Sequence, residues 1–418
     1  MRLTIVVLLG GLSVLLVGLG LLGTLLGVRA TIEQFSYAQT GVVMAGYYVG
    51  YIVGTWRGPS IIRRVGHIRT FAALSALCAT TTLLFGFLAD PWTWFFLRIL
   101  NGASVVGLYM VVESWLNEKT PANKRGRVFA IYMITTLMAL ASGQFLLLVY
   151  EPSTLFPFAL ASVLITLAII PIAVVRVAEP AIDTHQHLPL LQLFTLSPLG
   201  AVGSICAGTV NGAFWGMTPM FGIRVGMQEV DIALLMSATI VGGALLQLPI
   251  GHLSDRYDRR TILLLVSFAG AVTSGIAGMM VLWDSAGLNL VAFLYGGLMF
   301  SVYAISVAHT NDYLESTQVL GATQGLLLLY GFGALIGPLV GGWLMSVVGA
   351  AGLPIFSSLT LLLFCIFGLY RMTQRASPSI EDQTDFVPLA RTSPVMMEMH
   401  PQTDTDMEPD LVDEKSDS

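Results

Sequence analysis

Long apolar runs recur along nearly the whole chain and constrain its fold more than any other feature. A bilayer core about 30 Å thick requires roughly 20 apolar residues in an α-helix. Twelve runs of about this length are separated by short polar or Pro- and Gly-containing segments. The runs cover residues 4–28, 40–62, 70–89, 92–116, 128–150, 155–177, 197–223, 230–253, 262–283, 288–310, 322–347 and 353–370. They predict an all-α membrane protein with twelve transmembrane helices in two pseudo-symmetric six-helix halves.

The polar segments between and after these runs divide the chain. The longest internal segment, residues 178–196, is rich in acidic residues and histidine and cannot span a bilayer. We therefore expect a first half at 1–177, a central cytoplasmic loop at 178–196 and a second half at 197–371. Residues 372–418 mix Pro, Ser, Thr, Met and acidic residues without periodicity. This composition predicts a disordered cytoplasmic tail.

Composition and motif content exclude several classes of protein. Hydrophobic residues make up 55% of the 418 positions and charged residues 11%, which leaves too little polar surface to solvate a water-soluble domain. The net charge of −5 comes from the acidic tail, so we expect no nucleic-acid partner. The sequence has no phosphate-binding loop, zinc-protease motif or paired cysteine site. We therefore expect neither an enzyme nor a bound cofactor or metal.

Basic residues in the short loops predict the orientation, because cytoplasmic loops of membrane proteins are enriched in Lys and Arg. With the first run retained as a membrane span, the side opposite the termini has little beyond Arg29 and Arg224. Both termini are therefore expected in the cytoplasm. The basic residues on their side are Arg63, Arg64, Arg69, Lys119, Lys124, Arg125, Arg127, Arg176, Arg256, Arg259 and Arg260.

Two loops with clustered basic residues occupy equivalent places in the two halves. One reads RRVGHIR at 63–69, after the second run, and the other reads GHLSDRYDRR at 251–260, after the eighth run. A constant offset also pairs Tyr132 with Tyr330, which relates the fifth run to the eleventh. Internal repeats of this kind predict two halves that rock around a central site.

The loop at 251–260 closely resembles the G-x-L-x-D-R-x-G-R-R signature of the major facilitator superfamily, with Asp258 in place of the usual Gly. The loop at 63–69 is a more degraded copy, with Arg63 at the position of the family's acid. In the fourth run, RILNG at 98–102 is similar to the family's R-x-x-Q-G element. Together with the twelve runs and the central loop, these motifs identify the chain as a member of the superfamily.

Within the superfamily, residues 113–127 look like the bacterial YcaD-like branch. The resemblance implies a monomer of the bacterial inner membrane in which two halves alternate access to a mid-membrane cavity. It also implies that the two motif loops form a cytoplasmic gate. The residues of this gate would be Arg63, Arg64, Gly66, Asp255, Arg256, Arg259 and Arg260.

The fourth run carries polar residues at membrane depth. Arg98 lies about two helical turns into the run, too deep for its side chain to reach the bilayer surface easily. Arg98, Asn101, Tyr109 and Glu113 share one helix face, which we expect to line the cavity. The resemblance implies that Arg98 acts in coupling or in recognising substrate charge; backbone carbonyls between packed helices could instead absorb its donors. Glu113 is a candidate proton carrier or an ion-pair partner of the basic loop.

The seventh and tenth runs contribute the remaining candidates for substrate binding or coupling. Asn211 and Trp215 lie in a Gly- and Pro-containing segment that could permit gating and are candidate ligand contacts. Tyr295 and His309 lie on a stripe of the tenth run, a pattern that more often reflects packing than binding. His309 is a second candidate for proton coupling, because imidazole titrates near physiological pH.

The expected function is secondary active transport of a small molecule across the lipid bilayer, with protons as the coupling ion. The missing nucleotide-binding motif argues against a pump driven by ATP. Two alternatives remain open. One is a membrane sensor or scaffold that transports nothing and signals through its acidic tail. The other is a protein of the same fold that moves lipids.

Overall fold

A computed structural model of the chain describes residues 2–121, 124–174, 189–282 and 287–374, together with 383, 384, 386, 392, 393 and 395. All regular secondary structure in these residues is helical. The helices are α1 (Arg2–Ile32), α2 (Tyr37–Val65), α3 (His67–Phe87), α4 (Pro91–Lys119), α5 (Arg125–Gln144), α6 (Phe156–Leu167), α7 (Ile169–Val174), α8 (Leu190–Leu196), α9 (Pro198–Arg224), α10 (Glu229–Arg256), α11 (Arg259–Leu282), α12 (Leu288–Asn311), α13 (Ser316–Val348) and α14 (Gly352–Gln374). A 3₁₀ turn, Phe145–Leu148, continues α5.

The predicted all-α membrane fold is confirmed, whereas the count of twelve spans is confirmed only in part. Within the described residues, nine helices are long and apolar enough to cross a membrane, or ten if α8 and α9, bent by 119°, form one span. Helix α2 contains the second predicted run, but Gln39 and four tyrosines lower its hydropathy, and it is not among these nine helices. The sixth run is broken into α6 and α7, and its apolar helical part, Phe156–Ile172, is shorter than a typical span.

Glycines bring the helices of each half into close contact. Helix α2 packs on α4 where Gly46 and Gly50 meet backbone carbonyls, and a Cβ at Gly50 would lie 2.0 Å from the oxygen of Ile99. In the second half, α13 packs on α9 in the same way through Gly333 and Gly337. Small residues at such crossings allow the close backbone approach that stabilises helices in lipid.

The bundle has two chemically different ends. We call the end with the loops at 63–69 and 251–260 the motif end, and the other the opposite end. At the opposite end the two halves touch directly. The Arg224 guanidinium donates a hydrogen bond of 3.2 Å to the Phe35 carbonyl, and the Ser237 hydroxyl donates one of 2.9 Å to the Ala141 carbonyl. Gly41 lies so close to α13 that a Cβ there would be 2.3 Å from the Pro338 oxygen.

Two connecting segments differ from the sequence-based expectation. The central loop predicted at 178–196 contains α8, whereas its acidic residues lie outside the described residues. Beyond α14, six residues of the tail predicted to be disordered are described, and several of them bond to the helices at the motif end. Helix α14 also extends to Gln374, three residues beyond the second half predicted at 197–371.

Candidate functional site

A cavity of about 200 Å³ lies between the two halves. Its walls come from α1, α2, α4, α5, α9, α12 and α13. The contacts at the opposite end join the two halves on that side of it. Thr392, from the tail, lines it toward the motif end. The cavity is therefore bounded by both halves and by the tail.

Arg98 is the one charged side chain among the described residues that line this cavity. Helix α4 places it two turns from the opposite end, where it is only 9% exposed. Its guanidinium carbon lies 4.7 Å from the centre of the Tyr47 ring, and its Nε atom has no hydrogen-bond partner among the described residues. A desolvated guanidinium over an aromatic face is partly compensated by the ring quadrupole. The site thus offers a cation to an anionic group that enters the cavity.

Aromatic side chains form much of the remaining cavity wall. Asn101 lies on the same face of α4 as Arg98, and its amide donates a hydrogen bond of 3.3 Å to the Cys78 sulfur. The aromatic residues that line the cavity are Tyr47, Tyr48, Tyr51, Tyr109, Trp215, Phe300 and Tyr330. Ring faces and phenol groups of this kind accommodate a flat apolar ligand and orient its polar end.

Glu113 is fully buried one turn beyond Tyr109 on α4. One oxygen of its carboxylate accepts hydrogen bonds from the hydroxyls of Tyr132 and Thr392, and the other accepts one from the hydroxyl of Ser393. The carboxyl group therefore lies between the cavity and the motif end, and its polar neighbours come from α5 and from the tail.

Four of the eight candidate residues line the cavity: Arg98, Asn101, Tyr109 and Trp215. Glu113 is adjacent to it, and the structure places the other three elsewhere.

Asn211 is buried and donates to the Ala207 carbonyl of its own helix at 2.8 Å. Tyr295 lines a separate void of about 70 Å³ in the second half. His309 lies at the motif end beside Tyr313, with ring centroids 5.2 Å apart. A shared helix face did not distinguish these three positions, because α9 and α12 are buried over much of their circumference.

The motif loop of the second half forms an ion-pair network. Arg259, whose side chain is fully buried, bonds to Asp255 at 2.8 Å and to Asp312 at 2.6 Å. Burial raises the pKa of the Asp312 carboxyl, and the nearby Arg259 guanidinium partly offsets that rise. Arg260 pairs with Asp258 at 3.4 Å. The network joins the start of α11 to the end of α12.

The motif loop of the first half is built differently. Arg63 and Arg64 are exposed at the end of α2, as is Arg256 at the end of α10. Arg63 donates to the Ser60 hydroxyl at 3.3 Å. Gly66 has φ +91° at the junction between α2 and α3, a conformation that favours glycine. A basic residue at position 63 cannot replace an acid as an ion-pair acceptor for arginine, so the two loops are chemically unequal.

Several residues of the cavity wall and of the ion-pair network were not identified from the sequence. Part of the aromatic wall is formed by Tyr47, Tyr48 and Tyr51. The sequence feature that could have indicated them is a cluster of phenol groups in an otherwise apolar run. Asp312 completes the Arg259 network from beyond the end of the tenth run. No sequence feature indicated that Thr392 and Ser393 donate to Glu113, because both residues lie in a segment without periodicity.

Comparison with known proteins identifies the family. The family model of the Major Facilitator Superfamily matches residues 3–328 and 200–399. The MFS-type transporter YcaD of Escherichia coli is 31% identical over 346 residues, which cover 82% of this chain and 89% of that protein.

Two solved structures are similar in fold. The nucleoside transporter NupG superposes with a TM-score of 0.71 at 14% identity over 90% of this chain and 100% of its own. A bacterial homologue of the human lysosomal transporter Spinster superposes with a TM-score of 0.71 at 12% identity, covering 91% of this chain and 97% of its own. The sequence matches confirm the resemblance to the YcaD-like branch, and the chain belongs to the major facilitator superfamily.

Proposed function

We propose that the chain is a proton-coupled secondary transporter that carries a small organic monoanion with an apolar ring across the bacterial inner membrane. Both termini would face the cytoplasm, so the motif end would be the cytoplasmic end. The observation that carries the proposal is the position of Arg98, a buried cation in the wall of an aromatic cavity between the two halves.

The charge of the ligand follows from the composition of the wall. The lining residues include a guanidinium and no described acidic side chain. An organic cation would therefore meet repulsion from Arg98, whereas a carboxylate or sulfonate would accept hydrogen bonds from it. The rings of Tyr47, Trp215 and Phe300 supply the apolar contact for the rest of the ligand. One fixed cation fits one anionic group.

Proton coupling is assigned to Glu113. The carboxyl group is buried and lies one helical turn from the cavity-lining Tyr109. A carboxyl at membrane depth that exchanges hydroxyl partners can gain and lose a proton as the two halves move. A proton gradient would then drive the anion, and this anion would move together with the proton.

The test uses purified full-length protein in proteoliposomes and three matched probes: benzenesulfonate, benzenesulfonamide and benzylammonium. The sulfonate keeps its charge at all working pH values and does not leak as a neutral acid. Uptake of benzenesulfonate, driven by a pH gradient and competed by neither other probe, is the expected result. Arg98→Gln should weaken its binding about 30-fold or more, because the anion loses a buried charged partner.

The alternatives predict different results. A ligand preference for benzylammonium would overturn the assignment of an anion. Binding of the sulfonate without any uptake would favour a sensor over a transporter. A lipid-moving protein would instead transfer labelled phospholipid and leave all three probes outside.

A further inference from the structure

The tail bonds to the second half at the motif end. The backbone N–H of Thr384 donates to Asp312 at 3.0 Å, and so does the Thr384 hydroxyl. The backbone N–H of Phe386 donates to Asp255 at 2.9 Å. Arg259 donates to the Thr384 hydroxyl at 3.4 Å and also to its carbonyl. The tail therefore uses the same side chains that form the ion-pair network of the motif loop.

The ring of Phe386 fits against the first glycine of that loop. A Cβ placed on Gly251 would lie 2.1 Å from the Phe386 ring, far inside van der Waals contact. Any other residue at position 251 would have to displace the ring. Gly251 is therefore both part of the motif and the position at which the Phe386 ring packs against α10.

The tail then bonds to the first half. The hydroxyls of Thr392 and Ser393 both donate to the buried Glu113 carboxylate. Tyr132 donates to Glu113, and its hydroxyl oxygen lies 3.1 Å from that of Thr392. Ser393 is fully buried, and Val395 is only 5% exposed. Thr392 also lines the central cavity, so the tail reaches the site where a ligand would enter.

These two sets of contacts are made with different halves of the bundle. Asp255, Gly251 and Asp312 belong to the second half, whereas Glu113 and Tyr132 belong to the first. The six residue steps from Phe386 to Thr392 can span at most about 20 Å. Six residue steps therefore limit how far apart the two halves can lie at the motif end while both sets of contacts are made.

We propose that the C-terminal tail is an autoinhibitory strap that binds across the motif end of the cavity, with Phe386 on Gly251 and with Thr392 and Ser393 on Glu113. Alternating access requires the halves to approach each other at this end. The bound strap lies between them and covers the cavity, so it must leave before the transporter can cycle. The proposal adds regulation to the proposed function, but its binding step does not depend on any substrate.

The first measurement is amide hydrogen exchange on the full-length protein. The N–H groups of Thr384 and Phe386, which donate to Asp312 and Asp255, should exchange at least about tenfold more slowly than in an unstructured peptide. Exchange at the unstructured rate in the unmodified chain would overturn the proposal, because the strap would then not be bound.

The second measurement is the accessibility of the cavity. A Thr136→Cys reporter, on a cavity-lining residue, is labelled with a membrane-impermeant maleimide in detergent, where both faces of the protein are reachable. The chain without the reporter corrects for the native cysteines. Adding Thr392→Val and Ser393→Ala should speed labelling at least about tenfold, since two hydrogen bonds to a carboxylate are lost. Phe386→Ala, which touches no cavity wall residue in these contacts, should speed it as well.

The matched control carries Thr403→Val and Ser416→Ala, the same substitutions at positions of the tail that lie outside the described residues. It should label at the rate of the unmodified tail. Equal labelling rates in all of these variants would overturn the strap. Neither measurement uses a transported ligand, so failure of the strap and failure of the proposed transport are distinguished.

Discussion

The Arg98 guanidinium stacks over the ring of Tyr47, with 4.7 Å between the guanidinium carbon and the ring centre. The two residues come from α4 and α2, whose backbones approach closely at Gly46 and Gly50. The glycine crossing therefore sets the distance between a buried cation and its aromatic partner. This arrangement holds the positive charge at the cavity wall and leaves it available to a ligand.

Tyr47→Leu should destabilise the cation, whereas Tyr47→Phe should preserve it. The leucine removes the aromatic face, and a desolvated cation–π contact is worth about 1–2 kcal/mol. We expect a lower free energy of unfolding in Tyr47→Leu and near-normal stability in Tyr47→Phe, measured by denaturant unfolding in detergent. Equal losses in the two variants would show that the phenol hydroxyl, and not the ring, supports Arg98.

Glu113→Gln should separate ligand movement from proton coupling. Glutamine keeps the shape of the side chain and cannot carry the proton, so exchange of benzenesulfonate across proteoliposomes should continue while accumulation driven by a pH gradient is lost. Glu118→Gln, an exposed acid on the same helix, is the control and should behave like the unmodified protein. If Glu113→Gln still accumulates the probe and His309→Asn does not, the proton site is His309.

Gly41→Ala should weaken the closure of the opposite end. The new methyl group would lie 2.3 Å from the Pro338 oxygen, which is backbone and cannot move cheaply. Overpacking of this kind costs about 1–3 kcal/mol in the closed arrangement only. A Met44→Cys reporter, buried beside the Gly41–Pro338 contact, should therefore react faster with a thiol reagent.

Two other glycines provide comparisons for that experiment. Gly50→Ala clashes with Ile99 inside the first half, so it should lower stability without opening the opposite end. Gly10→Ala meets nothing within 4 Å and should leave both quantities unchanged. Faster labelling of the Met44→Cys reporter in Gly50→Ala than in Gly41→Ala would show that the Gly41–Pro338 contact does not hold the opposite end closed.

Arg259→Gln should destabilise the motif end strongly. The substitution leaves the buried Asp312 carboxylate without its charged partner, a change that typically costs about 3–5 kcal/mol. Arg260→Gln is the matched control, because its pairing with Asp258 is partly exposed and should be worth about 1 kcal/mol or less. Denaturant unfolding of both variants measures the difference. Similar costs would mean that the Arg259 network carries no special stability.

The cost of Arg259→Gln should also depend on pH. Burial raises the pKa of Asp312, and Arg259 lowers it, so removing the arginine raises this pKa further. A raised carboxyl pKa in the folded state favours folding fully below the unfolded-state value and loses that contribution as the pH rises through the folded-state value. The destabilisation should therefore be larger at about pH 8 than at about pH 4. A cost that grows toward low pH would contradict this assignment.

The sequence predicted the fold through hydropathy and the motif loops, and it predicted much of one wall of the cavity. Arg98, Asn101 and Tyr109 could be grouped because a single helix face repeats every 3.6 residues. The stripe on the tenth run did not place Tyr295 or His309 in this cavity, because α12 is buried over much of its circumference and periodicity then indicates no direction. Helix α2 was predicted as a span, but its tyrosines were not predicted to line the cavity. The α2 tyrosines line the cavity because α2 packs closely on α4. Hydropathy carries no information about which helices pack together.

The tail could not be predicted for a different reason. Its contacts are a few hydroxyls, two backbone amides and one ring, all of which bind to groups presented by other helices. Nothing in residues 372–418 alone specifies those partners, since Glu113 lies more than two hundred residues earlier in the chain. Composition predicts disorder for a segment in isolation, whereas the bundle supplies the groups to which the described tail residues bind.

The cavity draws nearly all of its described lining from α1, α2, α4 and α5, with only Trp215, Phe300, Tyr330 and Thr392 from later in the chain. Under the proposed function, most of the side chains that contact the cargo come from the first half of the chain. A relative could then acquire a new cargo by changes in its first 150 residues while its second half stayed the same. A hybrid that joined the first half of one relative to the second half of another would then inherit the cargo of the first.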